Sequence, residues 1–267
     1  MASAPEAPAQ DWRVDVFIAG LAVALSVGGF ARVVFDQRAF LAEQPQDLLW
    51  VVLALVAGGT TFFANGFVPL SGRTLLWAGY GTFAMLAGFS MQGVVNGGIV
   101  RTTPPDAHGL GYFLALGAGA GFCQTLGKWL MIRLLNRIHR PTARLDVLAG
   151  GLAVGLGFGL SEVLFIGTQL IHAGTVIQGI GAIGIWERCA AVGFHVFSGG
   201  LLAIGLASGA TWPLLVVLLV HTLEDFLAGA LGGGVVLLPS IAVEALYSLM
   251  TVALVLVFRR AARDVPA

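Results

Sequence analysis

Eight stretches of this chain, at 14–34, 48–69, 74–96, 110–136, 147–171, 186–207, 212–231 and 239–258, are runs of about twenty or more predominantly apolar residues. A helix rises about 1.5 Å per residue, so each run is long enough to cross ~30 Å of hydrocarbon. Trp12, Trp50, Trp77, Tyr112, Trp186 and Trp212 stand near the starts of these runs, where an interfacial aromatic belt is expected. The predicted fold class is all-α: a polytopic transmembrane helical bundle of about eight spans, with no soluble second domain.

Composition agrees. Only 10% of the 267 residues are charged, against about 25% in an ordinary soluble domain. The 38 glycines sit inside apolar runs, where small residues let helices approach closely. A net charge of zero gives no basic field for nucleic acid and no acidic tail. Cys123 and Cys189 both fall in apolar segments and read as small hydrophobes. Residues 1–11 read as a disordered lead, 12–260 as one integral membrane domain and 261–267 as a short cytoplasmic tail. The first run lacks a basic n-region and an A-x-A site, so it is expected to be a retained span. The Gly-punctuated stretch 173–185 fits either a re-entrant loop or an early start of the next helix.

Orientation follows from the loops. Arg13, Arg73, Arg133, Arg137, Arg140, Arg144, Arg259, Arg260 and Arg263 fall on one side, and only Arg32, Arg38 and Arg101 on the other. The excess of Lys and Arg marks the cytoplasmic side, which places both termini there, in the plasma (inner) membrane.

These spans strand Lys128, Glu162, Glu187, Arg188, Glu224, Asp225 and Glu244 in or at the edge of the membrane, together with His195 and His221. Facing lipid, such a set would cost on the order of 15–20 kcal/mol. It must be paired, protonated, metal-bound or wet, and intramembrane ionisable groups mark functional sites. In the fifth span Gly151, Gly155 and Gly159 form a small-residue stripe, and Glu162 continues the same face into a helix interface. In the sixth, Arg188 and His195 lie two turns apart on one face, with Ser198 one turn further; Glu187 and Arg188 are close enough to the interface to snorkel. In the seventh, His221 and Asp225 are spaced i, i+4, with Glu224 beside them. That spacing serves two chemistries: both groups ligate one metal, or Asp225 orients His221. Two imidazoles and carboxylates from three helices would hold one zinc with an open water position.

At these residues the chain resembles the YhfC-type family of intramembrane metallopeptidases, related to the CAAX-protease/bacteriocin-processing and PrsW membrane proteases. The resemblance covers roughly 110–230. G-x-G-x-G-x-x-E matches Gly155, Gly157, Gly159 and Glu162; E-R followed by H matches Glu187, Arg188 and His195; H-x-x-x-D matches His221 and Asp225. It implies metal-dependent hydrolysis of a membrane peptide or protein. The metal, zinc, would lie on His195, His221 and Asp225, and Glu162, Glu187, Arg188 and Lys128 would form the catalytic set. A fourth block departs from the pattern. Where the family carries E-E-x-x-R/K, this chain has Gln124, Thr125, Leu126, Gly127 and Lys128, keeping the base but neither glutamate. Gln and Thr cannot serve as general base. With Glu162 as the base, activity persists; with the missing glutamates as the base, the chain is a non-catalytic relative acting as scaffold or partner subunit. A transporter, or a haem carrier with His195 and His221 as axial ligands, is the third reading.

Overall fold

The computed structural model describes residues 45–64, 66–68, 70–139, 144–172, 181–232 and 240–264. Among them are seven α-helices and no strand: α1 (Pro45–Ala64), α2 (Gly72–Thr102), α3 (Leu110–His139), α4 (Arg144–His172), α5 (Gly181–Ser208), α6 (Trp212–Gly232) and α7 (Ser240–Asp264). A short 3-10 turn, Pro105–Ala107, joins α2 to α3. By length and composition, five segments of the described helices can cross a membrane: Gly72–Thr102, Leu145–Ile166, Trp186–Ser208, Trp212–Leu231 and Ile241–Arg263. The expected all-α, multi-pass architecture holds at that level. The lead 1–11, the span 14–34 and residues 173–180 lie outside the described residues.

Several boundaries differ from the sequence expectation for local reasons. The helix expected over 48–69 stops at Ala64, because Gly66 turns the chain at φ 70° and the N–H of Phe67 bonds back to Phe62. The helix expected over 74–96 begins at Gly72, where the Ser71 hydroxyl accepts the Thr74 N–H at 3.1 Å, and runs on to Thr102. Residues 181–185 of the Gly-punctuated stretch are already helical. The helix expected over 110–136 forms as α3, yet it is not among the five segments that can cross a membrane by length and composition. Its first half is rich in glycine, and Lys128 sits in its middle.

α4 and α5 form the centre. Their most apolar windows are 72% buried inside the molecule, against 11% for α7. α4 packs between α2 and α5, α3 lies against α2 and α6, and α7 covers α5. The α4–α5 seam is close because it is lined with glycine. A Cβ on Gly155 would strike the His195 carbonyl oxygen and lie 2.7 Å from Val196 Cα. On the periphery, Leu215 and Leu219 of α6 and Leu249 and Leu256 of α7 are all more than 60% exposed. Such a continuous apolar outer surface suits acyl chains.

One end of the bundle is tied by polar contacts. Arg73 pairs with Asp146 at 3.3 Å, the Tyr80 hydroxyl lies 3.3 Å from His139 Nε2, and the Arg259 guanidinium lies 6.0 Å from the Phe67 ring. The α1–α2 turn, the end of α3, the start of α4 and the end of α7 therefore meet at this end. It gathers the described members of the arginine-rich group.

Candidate functional site

Four helices deliver polar side chains to one place in the interior. From α3 comes Lys128, which is fully buried. Its ammonium donates to Ser198 Oγ at 2.8 Å, lies 3.1 Å from His195 Nδ1, and sits 5.1 Å from the Phe158 ring and 4.9 Å from the Phe194 ring. Two aromatic faces thus replace part of the hydration the cation has lost. Ser198, one turn past His195 on α5, donates in turn to the His195 carbonyl at 3.0 Å.

From α4 comes Glu162. The glycines at 151, 155 and 159 all press against α5, so the next position on that face also faces α5. Its carboxylate meets His195 Nε2. From α6 come His221 and Asp225, one turn apart, with His221 Nε2 3.7 Å from Asp225 Oδ2. On its other side His221 Nδ1 is 3.2 Å from Thr125 Oγ1 of α3. The two imidazoles lie 5.4 Å apart, and the Phe194 ring packs against both. Each presents Nδ1 to α3 and Nε2 to a carboxylate.

Lys128, Glu162, His195, His221 and Asp225 are therefore brought together. Glu187 and Arg188 line the same cavity, of about 140 Å³, but their charged groups are joined to each other as neighbours on α5. Arg188 keeps one nitrogen, Nη1, without a hydrogen-bond partner. A second cavity, of about 250 Å³, lies on the other side of Glu162 and Asp225 and is bounded by Gln92 and Gln124. The two cavities share Glu162, Ile166 and Asp225 as common wall.

Two features bear on the expected zinc. Asp225 Oδ2 is buried without a hydrogen-bond donor, 3.7 Å from His221 Nε2, whereas Glu162 Oε2 is met by His195 Nε2. His221 Nδ1 is held from behind by the Thr125 hydroxyl, as the free ring nitrogen of a ligating histidine commonly is. His195 Nδ1 instead faces the Lys128 ammonium, which only donates, so the proton of this ring lies on Nε2, towards Glu162. Two imidazoles and two carboxylates are donors suited to a zinc-type ion. In the arrangement seen, the four form two pairs, and among the described residues no three of His, Cys, Asp and Glu converge as ligands.

Some of the network was not anticipated from sequence. Gln92 on α2 accepts from Gln124 Nε2 at 3.0 Å, Phe158 and Phe194 flank the buried cation, and Tyr247 of α7 donates to the Glu224 carbonyl. The signal for Gln92 was an amide inside an apolar run; the aromatics gave none, since phenylalanine is ordinary in such a core. Comparisons with protein-family models, with curated proteins and with solved structures return no match to this chain.

Proposed function

We propose that this chain is an inner-membrane protein of about eight spans with both termini in the cytoplasm, and that its interior houses an intramembrane peptidase site of the YhfC type. One observation carries the reading: α4, α5 and α6 bring Glu162, His195, His221 and Asp225 to a single cavity, where Asp225 Oδ2 is buried without a hydrogen-bond donor. The substrate is a peptide segment of a membrane protein, entering from the bilayer.

Glu162 is the general base. It faces both cavities and is positioned to take a proton from water and return it to the leaving amine. Arg188, which lines the cavity, supplies the positive charge that a developing oxyanion needs, and Lys128 balances the carboxylate charge from behind His195. Thr125 and Lys128 hold the imidazole rings in orientation from behind. A zinc ion held by His195, His221 and Asp225 would polarise the scissile carbonyl and bring a water's pKa towards ~7. Cleavage of co-expressed membrane peptides by the wild type, lost in Glu162→Gln, tests the reading. Purified protein that holds no zinc and cleaves nothing in that panel overturns it.

A second reading has its own support. Gln124 and Thr125 stand where the family pattern has glutamates, and both are tied into the network, Gln124 to Gln92 and Thr125 to His221. A chain that has become a membrane scaffold or partner subunit would keep such a network for stability alone. Under this reading the wild type is inert, and the Gln124→Glu, Thr125→Glu double variant gains cleavage.

A further inference from the structure

The second cavity lies beyond the shared wall of Glu162, Ile166 and Asp225. It is walled by Phe89, Phe165 and Ile166, and its polar edge is the amide pair Gln92–Gln124. Gln124 is 2% exposed, and its Nε2 is used on Gln92 at 3.0 Å. Its Oε1 is buried with no hydrogen-bond partner. An amide oxygen has two lone pairs and rarely stays unpaired in an interior. The cavity beside it, about 250 Å³, is smaller than the ~300–1,000 Å³ of pockets for drug-sized ligands, so it takes one residue rather than a folded ligand.

We propose that this cavity is the subsite for one apolar residue of an extended peptide, recognised by its backbone N–H donating to Gln124 Oε1. The apolar side chain would lie against Phe89, Phe165 and Ile166. The next peptide bond would then reach the shared wall, where Glu162 and Asp225 stand between the two cavities. The subsite rests on the peptidase reading for its substrate class but binds without turnover. It also gives the glutamine a use: an acceptor that stays neutral beside two carboxylates does not add a third charge.

The test compares two photoaffinity probes on the full chain in detergent: N-acetyl-photoleucine methylamide and its depsipeptide analogue, in which an ester oxygen replaces the photoleucine's own N–H. Mass spectrometry of α2, α3 and α4 peptides gives the concentration dependence of labelling. The amide is expected to label these peptides about tenfold more tightly, the ratio of ~1.4 kcal/mol for an acceptor left unpaired by the ester. Gln124→Leu abolishes the preference. Gln124→Glu keeps an acceptor and retains it, which serves if the leucine variant does not fold. Equal labelling by the two probes in the wild type, a preference that survives in Gln124→Leu, or labelling that maps elsewhere overturns the subsite. A preference without any peptide cleavage overturns the peptidase reading alone; cleavage without the preference overturns the subsite alone.

Discussion

Lys128 and Glu162 sit on opposite sides of one imidazole: the ammonium lies 3.1 Å from His195 Nδ1, and the carboxylate meets Nε2 of the same ring. A buried cation and a buried anion are thus linked through a neutral bridge, with Ser198 completing the cation's shell. Either charge alone would be costly in this interior, and each is tolerated because the other is there.

A double-mutant cycle should show this dependence. Lys128→Met leaves Glu162 without its counter-charge, and Glu162→Gln leaves Lys128 without its own. Each single variant is expected to be destabilised, while the double variant loses less than the sum by about 1–3 kcal/mol. Unfolding in mixed micelles measures all four corners. Additivity within ~0.5 kcal/mol would show that the two charges are not coupled.

The α4–α5 seam makes a steric prediction. At Gly155 a larger side chain meets the backbone of α5 beside His195, whereas a Cβ at Gly98 of α2 meets nothing within 4 Å. Gly155→Leu is expected to destabilise the fold by about 1–3 kcal/mol or more and to separate Glu162 from His195. Gly98→Ala should be neutral, or stabilising by ~0.5–1 kcal/mol. Denaturation midpoints of the two variants check this; a tolerated leucine at 155 would mean that the seam is looser than described.

This contrast shows what was readable beforehand. The 151–155–159 spacing forecast that Glu162 would face a neighbouring helix, because a helix repeats its face every three to four residues. The i, i+4 relation of His221 and Asp225 was legible for the same reason. Which helix each face would meet was not. Nothing in the spacing says that α3 would pass behind both imidazoles, or that Thr125 would reach His221. Glu187 and Arg188, which stood near enough to the interface to snorkel, line the cavity and are bonded to each other. Neighbours in a helix point about 100° apart, and only their long, flexible side chains bring the two charges together.

Thr125 offers a test that separates support from ligation. Its hydroxyl holds His221 Nδ1 at 3.2 Å while leaving Nε2 on the cavity side. Under the proposed zinc site, Thr125→Val removes the bond that orients the His221 ring and is expected to weaken metal affinity by about 10–100-fold with the fold retained. His221→Ala should abolish retention of the ~1 zinc per chain expected for a single site. Elemental analysis and competition with a chelator supply the readout. Identical zinc retention in wild type and both variants would place any metal elsewhere.

The last prediction concerns orientation. Arg73 bonded to Asp146, His139 beside Tyr80 and Arg259 over Phe67 draw four chain segments to one end of the bundle. Arg133 and Arg137 lie near the end of α3, and Arg259, Arg260 and Arg263 near the end of α7, so the positive charge gathers at that end. Positive loops are retained in the cytoplasm during insertion, so this end is expected to face inwards. A reporter that fluoresces only in the cytoplasm, fused after Ala267, should be active. A periplasmic phosphatase reporter at the same site should be silent and become active when fused in the α2–α3 turn near Asp106. The reverse pattern would invert the bundle and place the arginine-rich end outside, against the charge rule on which the topology is built.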